Sequence, residues 1–225
     1  MIHLRNRLEH ISKAGLHPPF RTYIFKDVVE RKHRSMQKWI DFYRPYFAND
    51  RDVRDFVTAC EALAPPNKRA KVMMHQAQRL ISLSDDIPRI RQHDESLRLL
   101  FLLMCAENIA KLHDRFEGEG QSRRYVCQFF EAFLAPADRD TLGIAFSDHS
   151  QNLMPRLSPD AAIDMLYKVR CDVVHEGNYS DFVFHDGNMQ INTNPNVMSH
   201  ITFEQFRALV VRGCINAIQT LLSTP

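Results

Sequence analysis

Ser158-Pro159-Asp160-Ala161-Ala162-Ile163-Asp164-Met165-Leu166-Tyr167-Lys168-Val169-Arg170-Cys171-Asp172-Val173-Val174-His175-Glu176-Gly177 reads as one complete helix, from start signal to stop signal. Ser158 is placed to cap it, Pro159 suits the first helical position, and Asp160 puts negative charge in the first turn. Gly177 can take the left-handed conformation that closes a helix. At about 100° per residue, Ala162, Ile163, Leu166, Val169, Val173 and Val174 form one apolar arc. Arg170 falls in the middle of that arc. A guanidinium cannot give up its charge and is costly to bury, so it needs an acceptor partner, a route to the rim or a watery cleft. His175 lies in the last turn beside Gly177, where its ring reaches solvent.

Glu107 poses the matching question. It follows the run Leu99-Leu100-Phe101-Leu102-Leu103-Met104-Cys105-Ala106, apolar on every side, which predicts a helix at the centre of the core from about Asp94 to Phe116. A carboxylate on that helix wants a partner, and Arg170 is the obvious one. A buried Glu107–Arg170 pair would say more about a site than about stability, because desolvation offsets much of the Coulomb gain.

Outward from these two helices the spacing stays helical, and only 7 glycines interrupt 225 residues. Thr22 to Tyr43 predicts a long helix ending near Pro45. Asn49 or Asp50 caps a second, through Leu63, and Asn67 opens a third that the run Ser84-Asp85-Asp86-Ile87-Pro88 should break near Leu83. Helices are also expected over Ser122–Leu134, after Pro136, and from Thr202 to about Leu222. Phe182-Val183-Phe184 and Met189-Gln190-Ile191, joined by His185-Asp186-Gly187-Asn188, read as a β-hairpin. The expected class is all-α with one small hairpin, a helical region over 1–92 packing on a helical bundle over 93–225. Trp39, Phe42, Tyr43, Tyr46 and Phe47 suit core packing better than base stacking.

Composition fits a globular chain, with 44% hydrophobic and 25% charged residues. Five widely spaced cysteines without a C-x-x-C pair argue against a disulfide framework and point to a reducing compartment. No apolar run is long enough to span a bilayer and no signal-peptide core is visible, so a cytoplasmic protein without membrane contact is expected. Net charge is +2 but uneven: residues 1–100 carry 19 Lys/Arg against 12 Asp/Glu. The cluster Arg31-Lys32-His33-Arg34 is either a solvated helix face or a phosphate-facing surface.

The stretch Leu166 to Gly177 resembles the signature helix of the HEPN superfamily, R-x4–6-H near a helix end, in its Apea-like branch. Leu103-Met104-Cys105-Ala106-Glu107-Asn108-Ile109 resembles the earlier helix of that family, whose acidic residue faces the motif. The resemblance covers roughly residues 93–225 and departs from many active members at Cys171, which follows Arg170 where they carry a polar residue. It implies an endoribonuclease that uses no metal or other cofactor, acts as a homodimer on RNA, and belongs to a toxin or defence setting with a possible neutralising protein partner. Arg170, His175 and Glu107 would be its site residues, with Arg31, Lys32, Arg34 and Lys168 as further RNA contacts. Two other readings stand beside it. One is a HEPN module that binds RNA, a nucleotide or a protein without turnover. The other is a metal phosphohydrolase using His-Asp dipeptides (His93-Asp94, His113-Asp114, His185-Asp186).

Overall fold

The computed structural model describes residues 36–62, 67–150, 153–179, 182–186, 190–193 and 196–223. The chain is mostly helical with a small antiparallel hairpin immediately before the last helix, which is the class its sequence implies. Its two compact units are residues 1–68 and 69–225. The cluster Arg31, Lys32 and Arg34 lies outside the described residues.

In the first unit, residues 36–43 form helix α1, and the α-helical winding gives way to a 3-10 turn, Arg44–Tyr46, at Pro45. Trp39, Ile40 and Tyr43 are buried, as core residues rather than base-stacking ones. The Tyr43 ring meets Phe56 of α2 (Asp50–Glu61) edge-on, 5.4 Å between centroids. Asn49, not Asp50, caps α2: its Oδ1 accepts from the backbone N–H groups of Arg51 and Asp52 at 3.0 Å each.

Helix α3 (Asn67–Ile90) runs straight through the expected break at Ser84–Pro88. The polar residues that suggested a turn are committed to neighbours instead. Ser84 is buried and donates its Oγ hydrogen to the Arg98 carbonyl at 2.9 Å. Asp85 accepts a two-pronged bond from Arg207, at 2.7 and 2.8 Å. Pro88 stands two residues from the end, so its missing N–H costs a single bond in the last turn, where the helix stops anyway.

The core of the second unit forms around α4 (Glu95–His113), which packs against α5 (Ser122–Phe133), α7 (Pro159–Cys171) and α8 (Phe203–Ser223). Leu99, Leu102, Leu103, Cys105, Ala106, Ile109 and Ala110 are buried, while Leu100, Phe101 and Met104 of the same apolar run are half-buried. Between them, α6 (Pro136–Gly143) makes a short bridge. Gly213 lets α8 approach α5 closely: a Cβ there would lie 2.6 Å from Cζ of Phe129, a ring with no exposure. Gly213→Ala is therefore expected to destabilise by about 1–3 kcal/mol through overpacking, less the gain of up to about 1 kcal/mol from alanine's helix propensity. Urea unfolding measures it, and a variant more stable than wild type would contradict this packing.

The sheet has the order β1-β3-β2, all antiparallel, with β1 at Phe146–Asp148, β2 at Gln190–Thr193 and β3 at Asn196–Ser199. The hairpin is β2–β3, one segment later than the sequence suggested. Phe182-Val183-Phe184 forms no strand. The Asn192 side chain replaces a strand partner there, its Oδ1 accepting from the Val183 N–H at 2.6 Å and its Nδ2 donating to the Val183 carbonyl at 3.2 Å. Phe182 and Phe184 are both fully buried, and Phe184 packs on Phe203 and Phe206 of α8. Core burial thus claims the two rings, and the expected turn residues Gly187 and Asn188 lie outside the described residues.

His200 follows β3, with Nε2 2.8 Å from Ser147 Oγ. Burial, with Arg156 and His185 nearby, holds its imidazole below the ordinary value of 6.5. The unfolded chain then takes up this proton before the folded one does, so stability is full above about 6.5 and is lost as pH falls toward the folded value. His200→Gln should flatten the fall of the urea midpoint between about pH 7 and pH 5. An unchanged slope would show that His200 does not cause it.

Candidate functional site

Helix α7 is built as its sequence dictates, with the Ser158 Oγ accepting from the Ala161 N–H at 3.2 Å. Its far end is not. Residues Asp172–Glu176 wind as a π turn, closed by Gly177 at φ 68°, whose N–H reaches back five residues to the Asp172 carbonyl. In an unbroken α-helix, Arg170 and His175 would point roughly 140° apart. The wider i→i+5 winding reduces that angle and swings His175 back toward the Arg170 side, a distortion often found at functional sites. Val173 is buried, while Val174 and His175 are exposed.

Arg170 and Glu107 do meet, with Nη2 3.7 Å from Oε2 and side chains 17% and 10% exposed. Glu107 has closer partners. Lys111, one turn on along α4, donates from Nζ to Oε1 at 2.7 Å, and Ser122 at the start of α5 donates its hydroxyl to the same oxygen at 2.7 Å. The carboxylate is thus satisfied without Arg170. The guanidinium carbon also stands 5.5 Å from the Tyr167 ring centroid. Burial raises the Tyr167 hydroxyl above its usual value of 10 while Arg170 pulls the other way, so this phenol stays neutral at pH 7.

The result is two cations and one carboxylate at the rim of the bundle. Arg170 makes no hydrogen bond among the described residues, and neither does the His175 ring. Lys168 is turned to its own helix, bonding Asp172 at 2.9 Å, with 56% of its side chain exposed. Lys111, Ser122 and Tyr167 are site residues that the sequence reading missed. Lys111 had a signal, four residues after Glu107 on a helix. Ser122 and Tyr167 had none.

The His-Asp dipeptides do not converge. Asp94 pairs with Arg91 at 3.5 Å, and Asp114 accepts from Gln128 at 2.7 Å while the His113 ring packs on Phe133. Among the described residues no three His, Cys, Asp or Glu side chains stand close enough to hold a metal ion, so the metal-phosphohydrolase reading lacks a ligand set there. No helix of the described residues is long and apolar enough to cross a membrane. An open groove between α5 and α7 is lined by Arg123, Arg124, Glu131, Asp160 and Asp164 among others, and across it Arg123 binds Asp164 through two bonds of 2.9 and 2.7 Å.

Fold and site together define a helical bundle with a small sheet and a half-buried, cation-rich cluster at a distorted helix end. No family model, no curated protein and no solved structure matches this chain.

Proposed function

We propose that the chain is an endoribonuclease of the HEPN type, working as a homodimer that brings two copies of the α7 end to one RNA strand. One observation carries this reading: Arg170 is held at the rim with only a 3.7 Å contact to Glu107, leaving its donor fork free for an anion. A guanidinium already committed to a carboxylate could not serve. Here Lys111 and Ser122 take that carboxylate, and Arg170 stays positioned but available.

In the proposed reaction the RNA 2′-oxygen forms a bond to the adjacent phosphorus as the bond from phosphorus to the 5′-oxygen breaks. One His175 accepts the 2′-hydroxyl proton, and the His175 of the second copy protonates the departing 5′-oxygen. Arg170 stabilises the extra negative charge on the phosphorane, a role a metal ion would otherwise take. Glu107, tied to Lys111 and Ser122, fixes the wall against which Arg170 rests. The exposed Val174 beside His175 suits contact with a second copy.

The test is cleavage of a fluorogenic RNA with EDTA present, with products examined for a 2′,3′-cyclic phosphate and a 5′-hydroxyl, alongside light scattering at micromolar concentration. The expected outcome is a dimer that cleaves. A monomer, or activity lost with EDTA, would overturn the proposal. RNA binding that depends on Arg170 without cleavage would instead make this a non-catalytic module.

A further inference from the structure

We propose that the small sheet carries a phosphate-binding site, built from Arg156, His185, His200 and the Ser147 hydroxyl, that shares no residue with the Arg170 cluster. Backbone geometry brings these residues together. Residues 155–157 run antiparallel along the free edge of β1, with the Asp148 N–H on the Pro155 carbonyl and the Leu157 N–H on the Phe146 carbonyl, both at 2.9 Å. That pairing sets Arg156 directly across from Ser147. Residues facing each other in an antiparallel pair project from the same face.

On the other edge of β1, the His200 N–H bonds the Ala145 carbonyl at 2.8 Å. Ala145 stands one residue before β1 and two from Ser147, which places His200 beside the Ser147 end of the strand. The 2.8 Å contact between His200 Nε2 and Ser147 Oγ closes the diagonal. His185 joins them because its N–H bonds the Ile201 carbonyl at 2.9 Å, next to His200.

The chemistry is one-sided. The groups that act on His200 are Arg156 and His185, both cationic or able to become so. Of the carboxylates nearby, Glu95 accepts from the Phe184 N–H and stands 3.7 Å from Arg98, and Glu204 stands 3.9 Å from the same guanidinium. Asp148 projects from the opposite face of β1, where it accepts from the Ser150 backbone and hydroxyl. The cluster also grades from inside to outside, with Ser147 buried, both histidines half-buried and Arg156 exposed. Arg156 is aimed by one bond from Nη1 to the Ile144 carbonyl at 2.8 Å, and its other N–H groups make no hydrogen bond among the described residues. A fork of donors, two imidazoles and a hydroxyl, with no carboxylate among the groups that act on His200, suit a tetrahedral phosphate. Burial first, and then Arg156 and His185, hold the His200 imidazole below 6.5. An anion would offset the second of these, so binding should tighten as pH falls below about 6.5 and His200 takes up its proton.

The test follows the His200 ring by NMR on the full chain, titrating pH in inorganic phosphate and in chloride at equal ionic strength. Phosphate is expected to raise the His200 midpoint toward or above 6.5 and to saturate. Arg156→Gln should weaken phosphate about tenfold at an unchanged melting temperature, and His185→Gln should weaken it less. A separate titration uses a short oligouridylate without terminal phosphates. Response to inorganic phosphate alone assigns a free phosphate or monoester, and response to both assigns a phosphodiester backbone. Identical His200 midpoints in phosphate and chloride, or an Arg156→Gln protein that binds as tightly as wild type, would overturn the site.

Discussion

Glu107→Ala is expected to destabilise the fold by about 3–5 kcal/mol, because it leaves two partly buried cations facing each other without their carboxylate. Lys111 and Arg170 have side chains only 20% and 17% exposed, so water repays little of that cost. The Ser122 hydroxyl loses its acceptor as well. Arg170→Ala should behave differently, costing less than about 1.5 kcal/mol, since Glu107 keeps Lys111 and Ser122 at 2.7 Å each. The sequence alone suggested the reverse: with Arg170 as the obvious partner, its removal would strand the acid. The asymmetry is the informative quantity. Glu107→Gln with Lys111→Met should recover part of the loss, because acid and cation leave together. Urea unfolding of the variants reads all three values. Equal losses for Glu107→Ala and Arg170→Ala would show that Lys111 does not hold the carboxylate.

The second large effect falls on activity. If the cluster cleaves RNA, Arg170→Ala should slow cleavage about 10²–10³-fold while the protein stays folded, the usual cost of removing one charge-stabilising donor. Arg170→Lys should recover little, since a point charge on a flexible stem cannot present the planar fork. His175→Ala should lower the rate about 10²–10⁴-fold and leave stability within about 0.5 kcal/mol, because an exposed ring packs little. A fluorogenic RNA assay and a thermal melt on each variant decide the matter. A fully active His175→Ala protein would end the assignment of cleavage to this helix end. Retained RNA affinity in Arg170→Ala would move phosphate contact elsewhere, for which the Arg156 cluster is the next place to look.

The π turn bears on both results. It is held by Gly177 in the left-handed conformation, and it sets where His175 stands relative to Arg170. Nothing in Cys171-Asp172-Val173-Val174 announces it. The run has ordinary α-helical spacing, and the winding widens only where the chain leaves the helix at Gly177.

Much of the fold was already legible in local pattern. The run Leu99 to Ala106, apolar all round, reads as a central helix, and Ser158-Pro159-Asp160 reads as the start of one. That Glu107 and Arg170 would face each other also followed from sequence, because each is a charge on an otherwise apolar surface. Tertiary structure alone decided which polar groups were spent and which were free. Ser84 and Asp85 read as a turn, yet Arg98 and Arg207 claim them and the helix continues. Phe182 and Phe184 alternate like a strand, yet the core takes both rings and Asn192 satisfies the backbone between them. Ser122 reads as a helix start, yet its hydroxyl completes Glu107. The physical reason is common to all three. Apolar periodicity acts through neighbours along the chain, whereas a buried polar group is satisfied by whatever donor or acceptor the packing brings to it, and that partner can lie anywhere in the sequence.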